Sequence, residues 1–239
     1  AVRLDGLQVA RLALEQASSA EQTREAERLV ADGPDKPFLS VLMWDARRWL
    51  VAGAYGLVFE TRDAGATWSS LMGRVPNEGL LHWYVLARQG NTLLMAGEQG
   101  LLARSTDGGA TFSSVTSPYR GSWFAGDVAP DGRWTLGGLR GSAWRSDDEG
   151  ASWTQLVNPV ASSVVAMDRA GSGPGKGRLV LATQSGLLLA VDGGALQPVN
   201  DGRPVPMPAA IMHRGDGSLL SMGLSGVAST RSNERTVKP

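Results

Sequence analysis

Two patterns of apolar and polar positions divide the chain. Over residues 7–32, Leu7, Ala10, Leu14 and Ala17 recur at helical spacing, and Ala26, Leu29 and Val30 continue a similar stripe with Glu and Arg filling the other positions. Side chains three or four apart share one face of a helix, so this stretch predicts one helix with a candidate break at Ser18-Ser19 and a stop at Gly33-Pro34. Before it, Val2-Arg3-Leu4 alternates briefly and ends at Asp5-Gly6. After it the helical period is gone. Short apolar runs take over at 39–44, 49–52, 82–87, 92–96, 123–129, 134–136, 163–168, 178–182, 209–213 and 218–222, each bounded by Gly, Asp, Asn or Pro. Runs this short between turn formers predict strands joined as hairpins.

The hairpins repeat. Thr61-Arg62-Asp63-Ala64-Gly65-Ala66-Thr67-Trp68, Ser105-Thr106-Asp107-Gly108-Gly109-Ala110-Thr111-Phe112 and Ser146-Asp147-Asp148-Glu149-Gly150-Ala151-Ser152-Trp153 share the pattern hydroxyl-x-Asp-x-Gly-x-hydroxyl-aromatic. The Asp carboxylate can accept backbone N–H bonds inside the turn, the Gly supplies a positive φ, the second hydroxyl closes the turn and the aromatic anchors the next strand. A Gly-x-x-Gly and a short apolar strand precede each copy, at Gly53–Gly56, Gly97–Gly100 and Gly138–Gly141. Two worn copies follow. One keeps Asp192 and Gly194 but has Leu196 and Gln197 where the hydroxyl and aromatic belong; the other runs from Gly223 to Asn233, with Arg235 in place of the Gly. Positions 63, 107, 148, 192 and 233 are separated by 44, 41, 44 and 41 residues. A repeat of about 40–50 residues built from short strands predicts an all-β propeller of four-stranded antiparallel blades, with about five blades visible.

Composition narrows the chemistry. The 239 residues carry 23 basic and 23 acidic side chains, so no overall field points to nucleic acid or an anionic membrane. The absence of cysteine excludes disulfides, thiolate metal sites and cysteine nucleophiles. No apolar run approaches a membrane span, and the chain opens at Ala1 without a signal-peptide pattern, as a processed or trimmed form would. With 31 Gly and 12 Pro, and 8 Trp against 4 Phe and 3 Tyr, it suits many tight turns with a few large anchors.

Candidate sites follow from the order of the strands. Antiparallel blades place the turns between first and second strands, and the Asp turns, at one end; the Gly-x-x-Gly turns and inter-blade connections lie at the other. That second end collects Tyr55, Glu98, Gln99, Arg140 and Gln184, with Glu78, Tyr119, Arg120 and Arg203 on the connections. It is the candidate partner face, and a plain polar rim is the competing reading. Asp63, Gly65 and Trp68, Asp107, Gly109 and Phe112, and Asp148, Gly150 and Trp153 are expected to be structural. The Gly-rich segment 170–177 lacks P-loop spacing, the Ser or Thr after Lys176 and a following helix, so it reads as a hairpin tip. His82 and His213 have no companion at metal-ligand spacing. No catalytic, cofactor or metal residue is expected.

The Ser-x-Asp-x-Gly-x-Thr-Trp pattern resembles the BNR or Asp-box repeat of sialidases, sortilin-type receptors and the photosystem II assembly factor family. Joined to Gly-x-x-Gly it is most similar to the last. Val51-Ala52-Gly53-Ala54-Tyr55-Gly56, the stretch from Ser117-Pro118-Tyr119-Arg120 to Gly121-Ser122-Trp123-Phe124 and that from Ala26 to Leu39 resemble bacterial relatives encoded beside resistance-nodulation-division (RND) exporters. The resemblance implies six or seven blades in a complete relative. It makes residues 1–6 the last strand of a preceding blade, 7–37 a helical insertion and linker, and 38–239 the blades. It further implies a periplasmic or otherwise exported, non-enzymatic scaffold that is not itself membrane-spanning and binds protein, such as a membrane-embedded complex or exporter. The alternatives are a sialidase-like glycoside hydrolase and a carbohydrate- or peptide-binding propeller. Hydrolysis needs an arginine cluster and a Glu-activated Tyr; the nearest counterpart of the sialidase aromatic-Arg-Ile-Pro motif, Gly73-Arg74-Val75-Pro76, lacks the aromatic and follows the first Asp turn. Tyr55, Tyr84 and Tyr119 are the available tyrosines, with Arg120, Arg140 and Arg203 as candidate arginines.

Overall fold

The structure, a computed structural model, describes residues 5–33, 35–173, 175–199 and 202–231. The segment expected to be one helix is two, α1 (Gly6–Glu15) and α2 (Ala20–Asp32). Asp5 and Gly6 are helix start, not strand end: Asp5 is the N-cap of α1, accepting from the Gln8 N–H while Gln8 accepts from the Asp5 N–H, a reciprocal capping box. Ser19 caps α2, its hydroxyl oxygen accepting the Gln22 N–H while the Gln22 side chain accepts from Ser18, so the serine pair that marked the break is there to start a second helix. Residues 1–4, and with them the rest of the expected stub, lie outside the described residues.

All the described strands that follow are antiparallel and form β-propeller blades. The chain divides into two compact units, Ala1–Arg120 and Gly121–Pro239. In the first, β1 (Phe38–Met43), β2 (Trp49–Gly53), β3 (Val58–Thr61) and β4 (Ser69–Ser70) form one sheet in sequence order; β5 (Trp83–Gln89), β6 (Thr92–Gly97), β7 (Leu102–Ser105) and β8 (Ser113–Ser114) form another. Successive residues of β2 point to opposite faces and both faces are covered. Leu50 and Ala52 pack with Trp83, Leu93 and Met95 of the next blade, while Val51 joins Phe59, Leu57 and the apolar stripe of the helices, Val9, Ala10, Ala13, Ala26 and Leu29. The helices therefore dock on the first blade of their own chain. Gln16 finishes the junction: its amide donates to the Trp68 carbonyl at 3.2 Å and accepts from the Ser70 N–H at 2.6 Å, supplying the edge of β4 with the partners of a missing strand.

In the second unit β9 (Trp123–Val128), β10 (Trp134–Gly138), β11 (Ala143–Ser146) and β12 (Thr154–Gln155) form one sheet, and β13 (Val164–Arg169), β14 (Leu179–Thr183), β15 (Leu188–Asp192) and β16 (Ala195–Pro198) a second. The third contains β17 (Ala210–His213), β18 (Ser218–Gly223) and β19 (Gly226–Arg231) among the described residues. Here too neighbouring residues serve opposite interfaces: Leu179 and Leu181 pack with Ala125, Ala143 and Leu156, Val180 and Ala182 with Ile211 and Leu219.

The three full Asp turns are superimposable in chemistry. Asp107 Oδ1 accepts the Thr111 N–H at 2.9 Å and the Ser105 hydroxyl at 2.8 Å, Asp107 Oδ2 accepts the Thr111 hydroxyl at 2.6 Å, and Ser105 Oγ accepts the Gly109 N–H at 2.8 Å. Asp63 and Asp148 repeat the set with Thr61, Thr67, Ser146 and Ser152. Gly65, Gly109 and Gly150 have φ of 87°, 89° and 87°. Hydrogen bonds from the hydroxyl and N–H of Thr67 hold the Asp63 carboxyl down at about 2, and the equivalent donors of Thr111 and Ser152 lower Asp107 and Asp148. These carboxylates are occupied by their own turns. The Asp192 copy is different: β15 and β16 pair Asp192 with Ala195 across a two-residue Gly193-Gly194 loop, so this hairpin turns on its glycines. Asn233 and Arg235 lie outside the described residues.

Candidate functional site

Each Gly-x-x-Gly is a single turn of 3-10 helix, Ala54–Gly56, Glu98–Gly100 and Leu139–Gly141, held on the start of the first strand of its own blade. The N–H after the first Gly donates to the carbonyl just ahead of that strand: Ala54 to Pro37 at 3.0 Å, Glu98 to His82 at 2.9 Å, Leu139 to Ser122 at 3.0 Å; Gln184 does the same to Ser163 at 2.8 Å. The next residue, Tyr55, Gln99 or Arg140, adopts a left-handed conformation with φ of 54°, 52° and 57°. Non-glycine residues resist this region because Cβ crowds the following carbonyl, and it recurs here at one repeat position. The turn thus lifts one side chain per blade out of the sheet on a backbone fixed from both sides.

In the first unit these turns assemble a cluster. Tyr55 is 44% exposed, and its ring meets His82 edge-on at 5.0 Å between centroids. His82 in turn meets Tyr84 at 6.1 Å, its Nδ1 lies 3.4 Å from the Tyr84 hydroxyl and 3.7 Å from a Glu98 oxygen, and its N–H donates to Glu98 Oε2 at 3.2 Å. On the other side Lys36 Nζ sits 4.7 Å from the Tyr55 ring centre and pairs with Asp35 and Asp32. Burial pushes the Tyr84 phenol up, and the Glu98 charge adds to it. Both effects disfavour the phenolate. The arrangement gathers aromatic rings around one carboxylate and an imidazole.

The structure brings Tyr55 and Glu98 together through His82. Gln99 is on the adjoining turn; Tyr119 is half-buried, its carbonyl at 2.7 Å from Ser117 Oγ, and Arg120 beside it is exposed. Arg140 and Gln184 belong to the second unit, where both are exposed and the Arg140 N–H donates to Ser163 Oγ at 3.1 Å. Lys36, His82 and Tyr84 join the cluster although they are not among the residues expected on that face. One signal was available: His82-Trp83-Tyr84 opens a first strand, where alternation sends Trp83 to the core and its two neighbours outward. His213, also read as solitary, has a partner, its N–H and Nδ1 lying 2.6 and 2.8 Å from Asp168 Oδ2.

No family model and no curated protein matches the chain. Among solved structures it is similar to YCF48 bound to D1 peptide, with a TM-score of 0.63 and 22% identity over 82% of this chain and 63% of that one. YCF48 from Cyanidioschyzon merolae gives 0.61 and 19% over 83% and 68%, and the GH74 xyloglucanase from Xanthomonas campestris 0.61 and 19% over 82% and 34%. The chain thus spans less than two thirds of the first and about a third of the xyloglucanase. At these identities the likeness is one of fold.

Proposed function

We propose that this chain is a non-enzymatic propeller scaffold whose Gly-x-x-Gly end takes a segment of a partner protein, and that it assists assembly or operation of a membrane protein complex. The observation that carries the reading is the Tyr55–His82–Tyr84–Glu98 cluster. Tyr55 offers an aromatic face for an apolar or cationic side chain, and Glu98 offers a carboxylate to a basic one. YCF48, whose fold is shared, is described in complex with a D1 peptide, which supports a peptide segment as the occupant. An RND-type exporter as the client, and the periplasm as the place, rest on the resemblance of the Asp-box and Gly-x-x-Gly stretches to exporter-associated relatives.

The second reading, glycoside hydrolysis, is favoured by the fold likeness to a xyloglucanase and by the Tyr84 and Glu98 juxtaposition. The absence of any arginine from the described cluster weighs against a sialidase-like reaction. An affinity pull-down from detergent-solubilised membranes of the native host separates the two. Recovery of a membrane complex, lost with Tyr55→Ala/Glu98→Lys and retained with a substitution elsewhere, is the expected result. Turnover of an aryl glycoside, abolished by Glu98→Gln, would overturn the scaffold reading.

A further inference from the structure

At the end of the second unit opposite Arg140, where the Asp148 turn and the hairpin tips lie, four guanidinium groups line one cleft of about 230 Å³. They belong to Arg133, Arg145, Arg169 and Arg178, buried Thr135 lies among them, and the described lining contains no carboxylate. In a chain with 23 basic and 23 acidic residues this is a local concentration of charge.

The four arginines are engaged unequally. Arg169 is committed: Nε and Nη2 hold Asp127 at 3.0 and 2.5 Å, and Nη1 donates to the Gly177 carbonyl at 2.6 Å. That bond fixes the Gly-rich hairpin tip beside the cleft. Arg133 grips Asp131 through Nε at 2.9 Å, but both partners are half exposed and solvent screens the pair. Arg145 reaches Asp147 only at 3.3 Å and the Gly193 carbonyl at 3.2 Å, and its Nε–H is buried with no hydrogen-bond partner. Arg178 makes no ion pair with any described residue. Asp127, Asp131 and Asp147 thus stand against three of the guanidinium groups from outside the lining, while Arg178 is left without a counter-charge among the described residues. An oxyanion in the cleft supplies it.

We propose that this cleft binds a phosphate group, carried by a soluble phosphate ester or by a lipid headgroup. A carboxylate has two oxygens and is satisfied by a single guanidinium fork, as Asp127 is by Arg169. Arg178, which makes no ion pair, together with Arg133 and Arg145, whose carboxylate partners are half exposed, offers donors to a dianion with more acceptor oxygens, the match that planar arginine forks provide. The segment 170–177 does not thereby become a phosphate loop. Its Gly177 carbonyl faces Arg169 and its Lys176 N–H is spent on the Gly173 carbonyl at 3.2 Å, so the donors come from strand ends and not from a backbone nest.

The test is calorimetric titration of the full chain with inorganic phosphate at low ionic strength. One saturable site is expected, weakened at least about tenfold in Arg178→Ala and Arg145→Gln. Arg178→Lys, which keeps the charge and loses the fork, falls between, and Arg24→Ala on α2 binds as the parent does. Thermal melts show that each variant is folded. No saturable heat, or equal weakening by Arg24→Ala and Arg178→Ala, overturns the site. Co-sedimentation with phosphatidylcholine vesicles containing phosphatidic acid distinguishes the sources. Pelleting that Arg178→Ala abolishes assigns the headgroup; a chain that stays in the supernatant while binding phosphate assigns the soluble ester.

Discussion

Gly138→Ala should be among the more damaging single-methyl changes in this chain. A Cβ at position 138 would lie 2.3 Å from the Ser122 carbonyl oxygen, 3.2 Å from its carbon and 3.3 Å from Trp123 Cα, all backbone atoms that no rotamer change can move. The same carbonyl accepts the Leu139 N–H that seats the 3-10 turn. Forcing the strands apart costs about 1–3 kcal/mol as overpacking, and weakening that bond about 0.5–1.5 kcal/mol, so about 2–4 kcal/mol is expected. For a chain of this length that is a melting-temperature drop of about 4–16 °C. Gly171→Ala is the control, since it meets nothing within 4 Å and has no positive φ. It should shift stability by no more than about 0.5 kcal/mol. Urea unfolding followed by tryptophan fluorescence is the assay, with Trp123 and Trp134 fully buried in the affected blade. A Gly138→Ala midpoint within error of Gly171→Ala, at unchanged denaturant slope, would refute the claim that close approach rather than flexibility selects glycine there.

Other consequences are equally direct. Because Asp63 is held at about 2 and Asp107 and Asp148 are also lowered, while an unfolded Asp titrates near 3.9, their contribution is complete above about pH 4 and is lost as pH falls through the folded values. Acid titration of the tryptophan signal should show stability falling below pH 4, and substituting all three by Asn should flatten that slope; an unchanged slope would place the acid sensitivity elsewhere. Ser105→Ala strands the buried Gly109 N–H and should cost about 1–3 kcal/mol in urea unfolding, while Ser105→Thr, the residue that opens the first Asp turn, should cost far less. Gln16→Ala leaves the Ser70 N–H and Trp68 carbonyl without their partner, so hydrogen exchange at Ser70 should accelerate and stability fall by about 1 kcal/mol. Phe59→Ala empties the contact between the helices and the first blade and should cost about 3–5 kcal/mol by the same unfolding assay.

What was legible in the sequence was local. Asp107, its two hydroxyl partners and Gly109 lie within seven residues of one another, so residue types alone specified their bonds. Ser18-Ser19 marked the helix break, although a stripe of apolar residues cannot tell one bent helix from two capped ones. The worn copy at Asp192 misled for the converse reason: with Gly193-Gly194 present, a two-residue turn closes the hairpin without the carboxylate. The sites were harder. Glu98 meets His82 only because the 3-10 turn at Glu98–Gly100 and the bulge opening β5 set them side by side. Arg133, Arg145, Arg169 and Arg178 come from four strand ends spread over two blades, and nothing in their spacing announces a common cleft.

The left-handed turns have a consequence for redesign. At Tyr55, Gln99 and Arg140 the backbone is held by the residues before and after, and three unrelated side chains already occupy the same strained geometry. The turn therefore does not depend on one side-chain identity, and glycine or asparagine there would relax its backbone. Varying these positions among residues that tolerate a positive φ, with proline and the β-branched residues left out, should yield libraries that largely fold, so that selection acts mainly on binding.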